Sequence, residues 1–220
     1  MRDKRKNEAY YNVYIDYQEK RIRKKSDKLA VSVGDSAKVH RISRSLLNYQ
    51  LDMVCAQFSA GADKNKLSKY LEEAIKTASQ VDNLEYETLL NLLSLSVMME
   101  IKAGCLEFIT KHVDVIQNDK LLNCFAKYIQ NNEVCWNGKF VIKGLYSSLD
   151  DLGNKIDKQS VLNNYLLVWY DAHKDFAWYD SHMNDKDTYV GYWSFESAAL
   201  AKIMKIDETQ LANNEYYPLL

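Results

Sequence analysis

Residues that form turns are scarce in this chain, which has one proline and seven glycines among 220 residues. Sandwiches and barrels of many short strands need frequent glycine and proline, whereas long helices joined by few loops do not. Hydrophobic residues make up 47% of the chain and charged residues 27%, which is ordinary globular usage and excludes disordered, collagen-like and membrane classes. The composition therefore predicts an all-α fold.

Hydrophobic periodicity predicts an antiparallel bundle of about eight to ten helices. The segments with a helical period are 8–29, 36–60, 63–78, 82–101, 106–116, 121–129, 160–172 and 190–205. The Asn137-Gly138 pair between alternating apolar residues is a hairpin signal that stands alone, so we expect at most one small β-ribbon or loop near 133–142. We expect an N-terminal helical part over 1–116 and a C-terminal part over 117–220, packed as one unit.

Several residues are predicted to begin or end these helices. Gly61 is placed to cap the second helix, and Asp63 to begin the third. Further caps are predicted at Asp82 with Glu85, at Gly104 and at Ser160. On the first helix, Tyr10, Tyr14 and Tyr17 are expected to share one face.

The cellular compartment is suggested by the cysteines and by the hydropathy pattern. The four cysteines lack any Cys-x-x-Cys or Cys/His ligand spacing and lie in or beside apolar sequence, so we expect reduced, mostly buried thiols: Cys55, Cys105, Cys124 and Cys135. The N-terminus has no uninterrupted apolar segment typical of a signal peptide, and the most apolar stretch, 89–101, is too short to span a bilayer. We expect a cytoplasmic protein without a membrane partner.

Charge is distributed unevenly along the chain although the total is only −1. The net charges are +5 for residues 1–28, 0 for 29–149 and −6 for 150–220. The near-neutral total does not indicate direct nucleic-acid binding, and we interpret the basic residues at 20–28 as a solvated helix end. The acidic C-terminal third suits a basic protein partner, the alternative being an ordinary solvated surface. No oligomeric state follows from the sequence.

The densest polar cluster offers one catalytic alternative, a metal-dependent hydrolase. Its members are Asp171, His173, Asp175, Asp180, His182, Asp185 and Asp187. The spacing matches no helical histidine motif, and the segment that begins at Asp185 lacks the glycine and the final glutamate of a calcium loop. Phosphate-loop, dinucleotide, serine-hydrolase and zincin motifs are also absent from the sequence. We therefore predict no catalytic residue, no metal and no cofactor, and keep the hydrolase as an alternative.

Glu196 is a carboxylate within an otherwise apolar helical segment, so we expect it to be partly buried. It is either a hydrogen-bonded structural group that ties the helix to a neighbouring loop or a general acid. The first role is commoner, because an unpaired buried charge is costly.

Two groups of motifs resemble those of a known family. In the C-terminal part they are Trp178-Tyr-Asp-Ser-His182, the stretch Tyr189-Val-Gly-Tyr-Trp-Ser-Phe-Glu-Ser-Ala-Ala-Leu200, Ile206-Asp207 and Tyr216-Tyr-Pro218-Leu; in the N-terminal part they are Asn48-Tyr-Gln-Leu-Asp52 and Ala56-Gln-Phe-Ser-Ala-Gly61. Together they are similar to the PoNi family of immunity proteins for polymorphic DNase toxins. The chain departs from the family's Tyr-Pro-Tyr-Asp-Leu-like ending, since it reads Tyr217-Pro218-Leu219-Leu220.

The resemblance implies an all-helical cytoplasmic protein of bacteria that binds the nuclease domain of a cognate toxin and is not an enzyme. A nuclease must present basic residues to phosphates, so an inhibitor benefits from an acidic face. The candidate toxin-binding residues are Asp171, Asp175, Asp180, Asp185 and Asp187. The residues expected to be structural are Trp178, Tyr189, Gly191, Tyr192, Trp193, Phe195, Glu196, Tyr217 and Pro218. A helical scaffold for a partner other than a nuclease is the remaining alternative.

Overall fold

A computed structural model of the chain describes residues 1–32, 34–154 and 157–220. Within these ranges it contains α-helices, short 3-10 helices and no strand, which confirms the all-α prediction. The α-helices are α1 Glu8–Ala30, α2 Ser36–Ala60, α3 Lys64–Ala78, α4 Tyr86–Met99, α5 Cys105–Lys111, α6 Val113–Gln117, α7 Lys120–Asn131, α8 Lys143–Tyr146, α9 Lys158–Ala172 and α10 Phe195–Met204. The 3-10 helices are Ser147–Gly153, Ser181–Met183 and Leu211–Asn213.

The chain divides into two compact units whose segments alternate along the sequence. The first unit consists of Met1–Thr88, Ala103–His112 and His182–Gly191. The second consists of Leu89–Lys102, Val113–Ser181 and Tyr192–Leu220. Each unit therefore draws residues from both halves of the sequence.

In the first unit α2 packs against α1 and α3. The buried side of α1 holds Tyr11, Tyr14 and Gln18. The rings of Tyr10 and Tyr14 stack 6.3 Å apart on the predicted face, but of the three tyrosines on that face only Tyr14 is buried. Tyr17 is 54% exposed. The buried set follows i, i+3, i+7, which satisfies a helical period as well as the predicted spacing does. Periodicity alone could not distinguish the two faces.

Two predicted helix caps are confirmed. Gly61 follows α2 with φ +94°, a left-handed conformation that strains other residues. A Cβ atom on Gly61 would also lie 2.9 Å from the backbone nitrogen of Met1. Asp63 caps α3, since its carboxylate accepts a hydrogen bond from the backbone N–H of Lys66 at 2.9 Å. These residues fix the turn between α2 and α3.

Three other predicted caps are wrong. Helix α9 is capped by Asp157, whose carboxylate accepts from two backbone N–H groups, one of them that of Ser160. The carboxylate of Asp82 pairs with Lys111 at 2.6 Å, and α4 begins later, at Tyr86. Gly104 precedes α5 instead of ending α4.

Two of the predicted helical segments differ markedly from the observed helices. The predicted segment 106–116 forms two short helices, α5 and α6, instead of one. The last helix begins at Phe195 and not near residue 190, because the connection before it is held in a non-helical path. Gly191 in that connection has φ +114°, and the backbone N–H of Ser194 donates to the carbonyl of Tyr216 at 2.9 Å.

The second unit contains the apolar part of α4, in which every residue from Leu92 to Met99 is buried. Residues 133–142 form a loop and no ribbon, because its backbone groups bond to the start of α7. The carbonyl of Lys139 accepts from the N–H of Lys120 at 2.9 Å, and the N–H of Val141 donates to the carboxylate of Asp119 at 2.8 Å. The same carboxylate caps α7.

Among the described helices, none combines the length and the hydropathy that a membrane-spanning segment requires.

Candidate functional site

The carboxylate of Glu196 is the centre of a buried polar junction in the second unit. Glu196 lies in the first turn of α10 and is 4% exposed. Its Oε1 atom accepts hydrogen bonds from Tyr165 Oη at 2.6 Å, from Trp169 Nε1 at 2.6 Å and from Ser194 Oγ at 2.7 Å. Buried charges are tolerated when they are hydrogen-bonded in this way. The geometry ties α10 to α9 and to the preceding connection.

An aromatic cluster covers the C-terminal end of α9 and the turn that follows it. Trp169 and Trp178 stack with ring centroids 5.4 Å apart. Tyr170 stacks on Tyr179 at 4.4 Å and, nearly parallel, on Tyr216 at 5.1 Å. Offset and edge contacts of this kind stabilise beyond the area that they bury. The cluster therefore holds the acidic turn after α9 in a defined position.

The motif residues of the second unit differ in burial. Tyr192, Phe195, Tyr217 and Pro218 are buried, and the hydroxyl of Tyr217 donates to the carboxylate of Glu208. Trp178 and Trp193 are only half-buried.

The two histidines of the alternative metal site have separate environments. His173 is 4% exposed, and its Nδ1 atom lies 2.6 Å from the carbonyl oxygen of Trp169. His182 belongs to the first unit, where its ring lies against that of Tyr189 at 5.9 Å. In the part of the chain that the structure describes, no group of three or more His, Cys, Asp or Glu side chains is arranged to hold a metal ion. The hydrolase alternative therefore receives no support from the geometry.

Three of the five candidate acidic residues lie in the second unit. Asp171 and Asp175 are exposed, the former in the last turn of α9 and the latter in the turn beyond it. Asp180 is half-buried, has φ +54° and accepts a hydrogen bond from the hydroxyl of Tyr170 at 2.8 Å. Burial of the phenol and this hydrogen bond to Asp180 raise the pKa of Tyr170. Asp180 therefore also shapes the turn.

The other two candidates, Asp185 and Asp187, are exposed in the 182–191 segment of the first unit. That segment is anchored at its end by Tyr189, whose hydroxyl donates to Asp3 Oδ1 at 2.7 Å. The hydroxyl of Tyr10 donates to the carbonyl of Tyr189 at 2.9 Å. The five candidates thus belong to two units, three in one and two in the other.

Sequence reasoning missed two features of these surroundings. Asp3 is 2% exposed and also accepts from the hydroxyl of Tyr11 at 2.9 Å; no periodic pattern points to this residue. Leu167 and Val168 lie in an apolar stretch of α9, yet they are 67% and 55% exposed. The signal for the second feature is the excess of apolar residues on α9 over what one buried face can hold.

Comparison with protein families gives two matches that together span nearly the whole chain. Residues 2–111 match the family described as PoNe immunity protein (PoNi), N-terminal, and residues 117–219 match PoNe immunity proteins (PoNi), C-terminal. Searches of curated proteins and of solved structures found no match. With both family segments present in their order, and with the all-α architecture that the resemblance implies, the chain belongs to the PoNi family of PoNe immunity proteins.

Proposed function

We propose that this protein protects a bacterium by binding the nuclease domain of a cognate PoNe toxin in the cytoplasm, one inhibitor to one toxin and without catalysis. The observation that carries the proposal is the family match over both the N-terminal and the C-terminal segment. The engagement of Glu196 and His173 in internal hydrogen bonds supports a binding protein over an enzyme.

We propose further that acidic side chains contact the toxin. Asp171 and Asp175 in the second unit, and Asp185 and Asp187 in the first, are exposed and can approach a partner directly. A nuclease carries basic groups that bind phosphate, and complementary charge accelerates association and restricts the choice of partner. Asp180 contributes its charge from a half-buried position.

Co-expression with the PoNe nuclease encoded beside this gene tests the binding proposal. Survival of the host and co-purification of the two chains are both expected. Cell death with no complex would contradict the proposal, and a complex with a non-nuclease protein instead would favour the scaffold alternative.

Charge neutralisation tests the acidic contact. The variant Asp175→Asn/Asp185→Asn/Asp187→Asn removes three exposed charges, and we expect it to slow association with the nuclease and to weaken the dependence of association on salt. A matched control is Glu72→Gln/Glu73→Gln/Glu107→Gln, which changes the net charge equally at exposed helix positions. Equal effects of the two variants would contradict a specific acidic contact, while circular dichroism checks that both remain folded.

A further inference from the structure

The outer side of α9 presents two large aliphatic residues to solvent. Leu167 is 67% exposed and Val168 is 55% exposed, although they are consecutive on one helix. The opposite side of α9 is buried in the protein, where it places Leu162, Tyr165, Leu166 and Trp169. We call the exposed residues Leu167, Val168, Asp171 and Ala172 the α9 face.

Acidic charge borders this apolar pair. Asp171 follows Leu167 by four residues and Val168 by three, so its side chain is a surface neighbour of both. Asp175 is exposed one further turn along the chain, and the exposed Lys174 before it leaves a net charge of −1 over residues 171–175. The last turn of α9 contains no basic residue. A carboxylate at the negative end of a helix dipole opposes stability, so this arrangement gives a negative potential that folding alone does not favour.

An apolar centre surrounded by a polar rim is the usual anatomy of a protein interface. The negative charge beside Leu167 and Val168 indicates which kind of partner can bind this face. A second copy of this chain docked symmetrically on the same face would bring like charges together, and nucleic acid or an anionic membrane would be repelled. A basic protein surface with an apolar pocket satisfies both parts of the face.

We propose that the α9 face is the apolar anchor of the toxin interface, with Leu167 and Val168 inserted between basic residues of the PoNe nuclease. This inference rests on the proposed function and deepens it, because it adds a short-range contact to the long-range attraction of the acidic residues. Loss of the aliphatic pair should raise the dissociation rate, whereas loss of the border charges should lower the association rate.

The test uses the purified full-length protein and a catalytically inactive PoNe nuclease domain, with binding followed by surface plasmon resonance. We expect Leu167→Gln/Val168→Gln to weaken affinity at least about tenfold, mainly through faster dissociation. The control Val13→Gln/Leu106→Gln removes two comparably exposed aliphatic residues, 64% and 56% exposed, from α1 and α5 of the first unit. All four substitutions of the two variants are at exposed helix positions, and glutamine is a good helix former, so we expect both variants to fold.

The outcomes separate the inference from the proposed function. Weak binding by the α9 variant with wild-type binding by the control supports the α9 face. Equal binding by all three proteins overturns the α9 face and leaves the proposed function intact. Absence of binding by the wild type overturns both. If the wild type and the control form dimers and the α9 variant is monomeric, the face is assigned to self-association and the inference is overturned.

Discussion

Replacing Glu196 by alanine should strongly destabilise the protein, because three buried donors would lose their common acceptor. Tyr165 Oη, Trp169 Nε1 and Ser194 Oγ all donate to Glu196 Oε1 within 2.7 Å. Each hydrogen bond to a charged group contributes about 1.5 to 3 kcal/mol, and removal of the carboxylate recovers part of its own desolvation cost. We expect the free energy of unfolding to fall by roughly 3 to 5 kcal/mol.

Urea unfolding followed by circular dichroism measures this change. Glu196→Gln keeps a carbonyl oxygen as acceptor and should cost only about 1 to 2 kcal/mol, so it serves as the matched control. A loss below about 1 kcal/mol for Glu196→Ala, with toxin binding abolished, would refute the structural role and indicate a functional one.

Three further predictions concern Asp52, Gly61 and Asp119. Burial raises the pKa of Asp52 from 3.8 to about 6, so the native state favours the protonated carboxyl and the free energy of unfolding falls as pH rises from about 4 to 6. Asp52→Asn should therefore be more stable than wild type by about 2 to 3 kcal/mol at pH 7.5 and equal to it below pH 4. Urea unfolding at each pH measures the difference. Gly61→Ala should cost about 1 to 3 kcal/mol because of its φ of +94° and the nearby N-terminal backbone, while Gly144→Ala, in a helix with open space around it, should cost nothing in the same thermal unfolding assay. Asp119→Ala removes the α7 cap and the hydrogen bond to Val141, and should lower the free energy of unfolding by about 2 to 4 kcal/mol. It should also expose the 133–142 loop to limited proteolysis. An unchanged cleavage pattern would contradict the anchoring of this loop by Asp119.

Local sequence signals were sufficient where one residue decides the structure. Gly61 and Asp63 act within a single turn, so their roles could be read from the sequence. The buried face of α1 could not be read in this way. It depends on the hydrogen bond that Asp3 accepts from the hydroxyl of Tyr11 and on residues that are distant in sequence. The start of α10 depends similarly on the bond between Ser194 and Tyr216.

The candidate site was predictable in composition and less so in arrangement. The acidic residues follow from counting charges, but the half-buried position of Asp180 depends on its contact with Tyr170. The sequence shows that α9 has more apolar residues than one buried face can hold, but it does not show that Leu167 and Val168 are the exposed ones, because an apolar residue on a helix is ordinarily assigned to the core. Interfaces use apolar residues that folding leaves exposed, so composition alone does not identify them.

Titration of PoNe DNase activity with this protein tests the central claim most directly. A stoichiometric inhibitor predicts a linear fall in activity that reaches zero at one equivalent, with a one-to-one complex recovered by size-exclusion chromatography. Inactivation of many nuclease molecules by each molecule of this protein, or unchanged DNase activity at an excess of it, would contradict inhibition by binding.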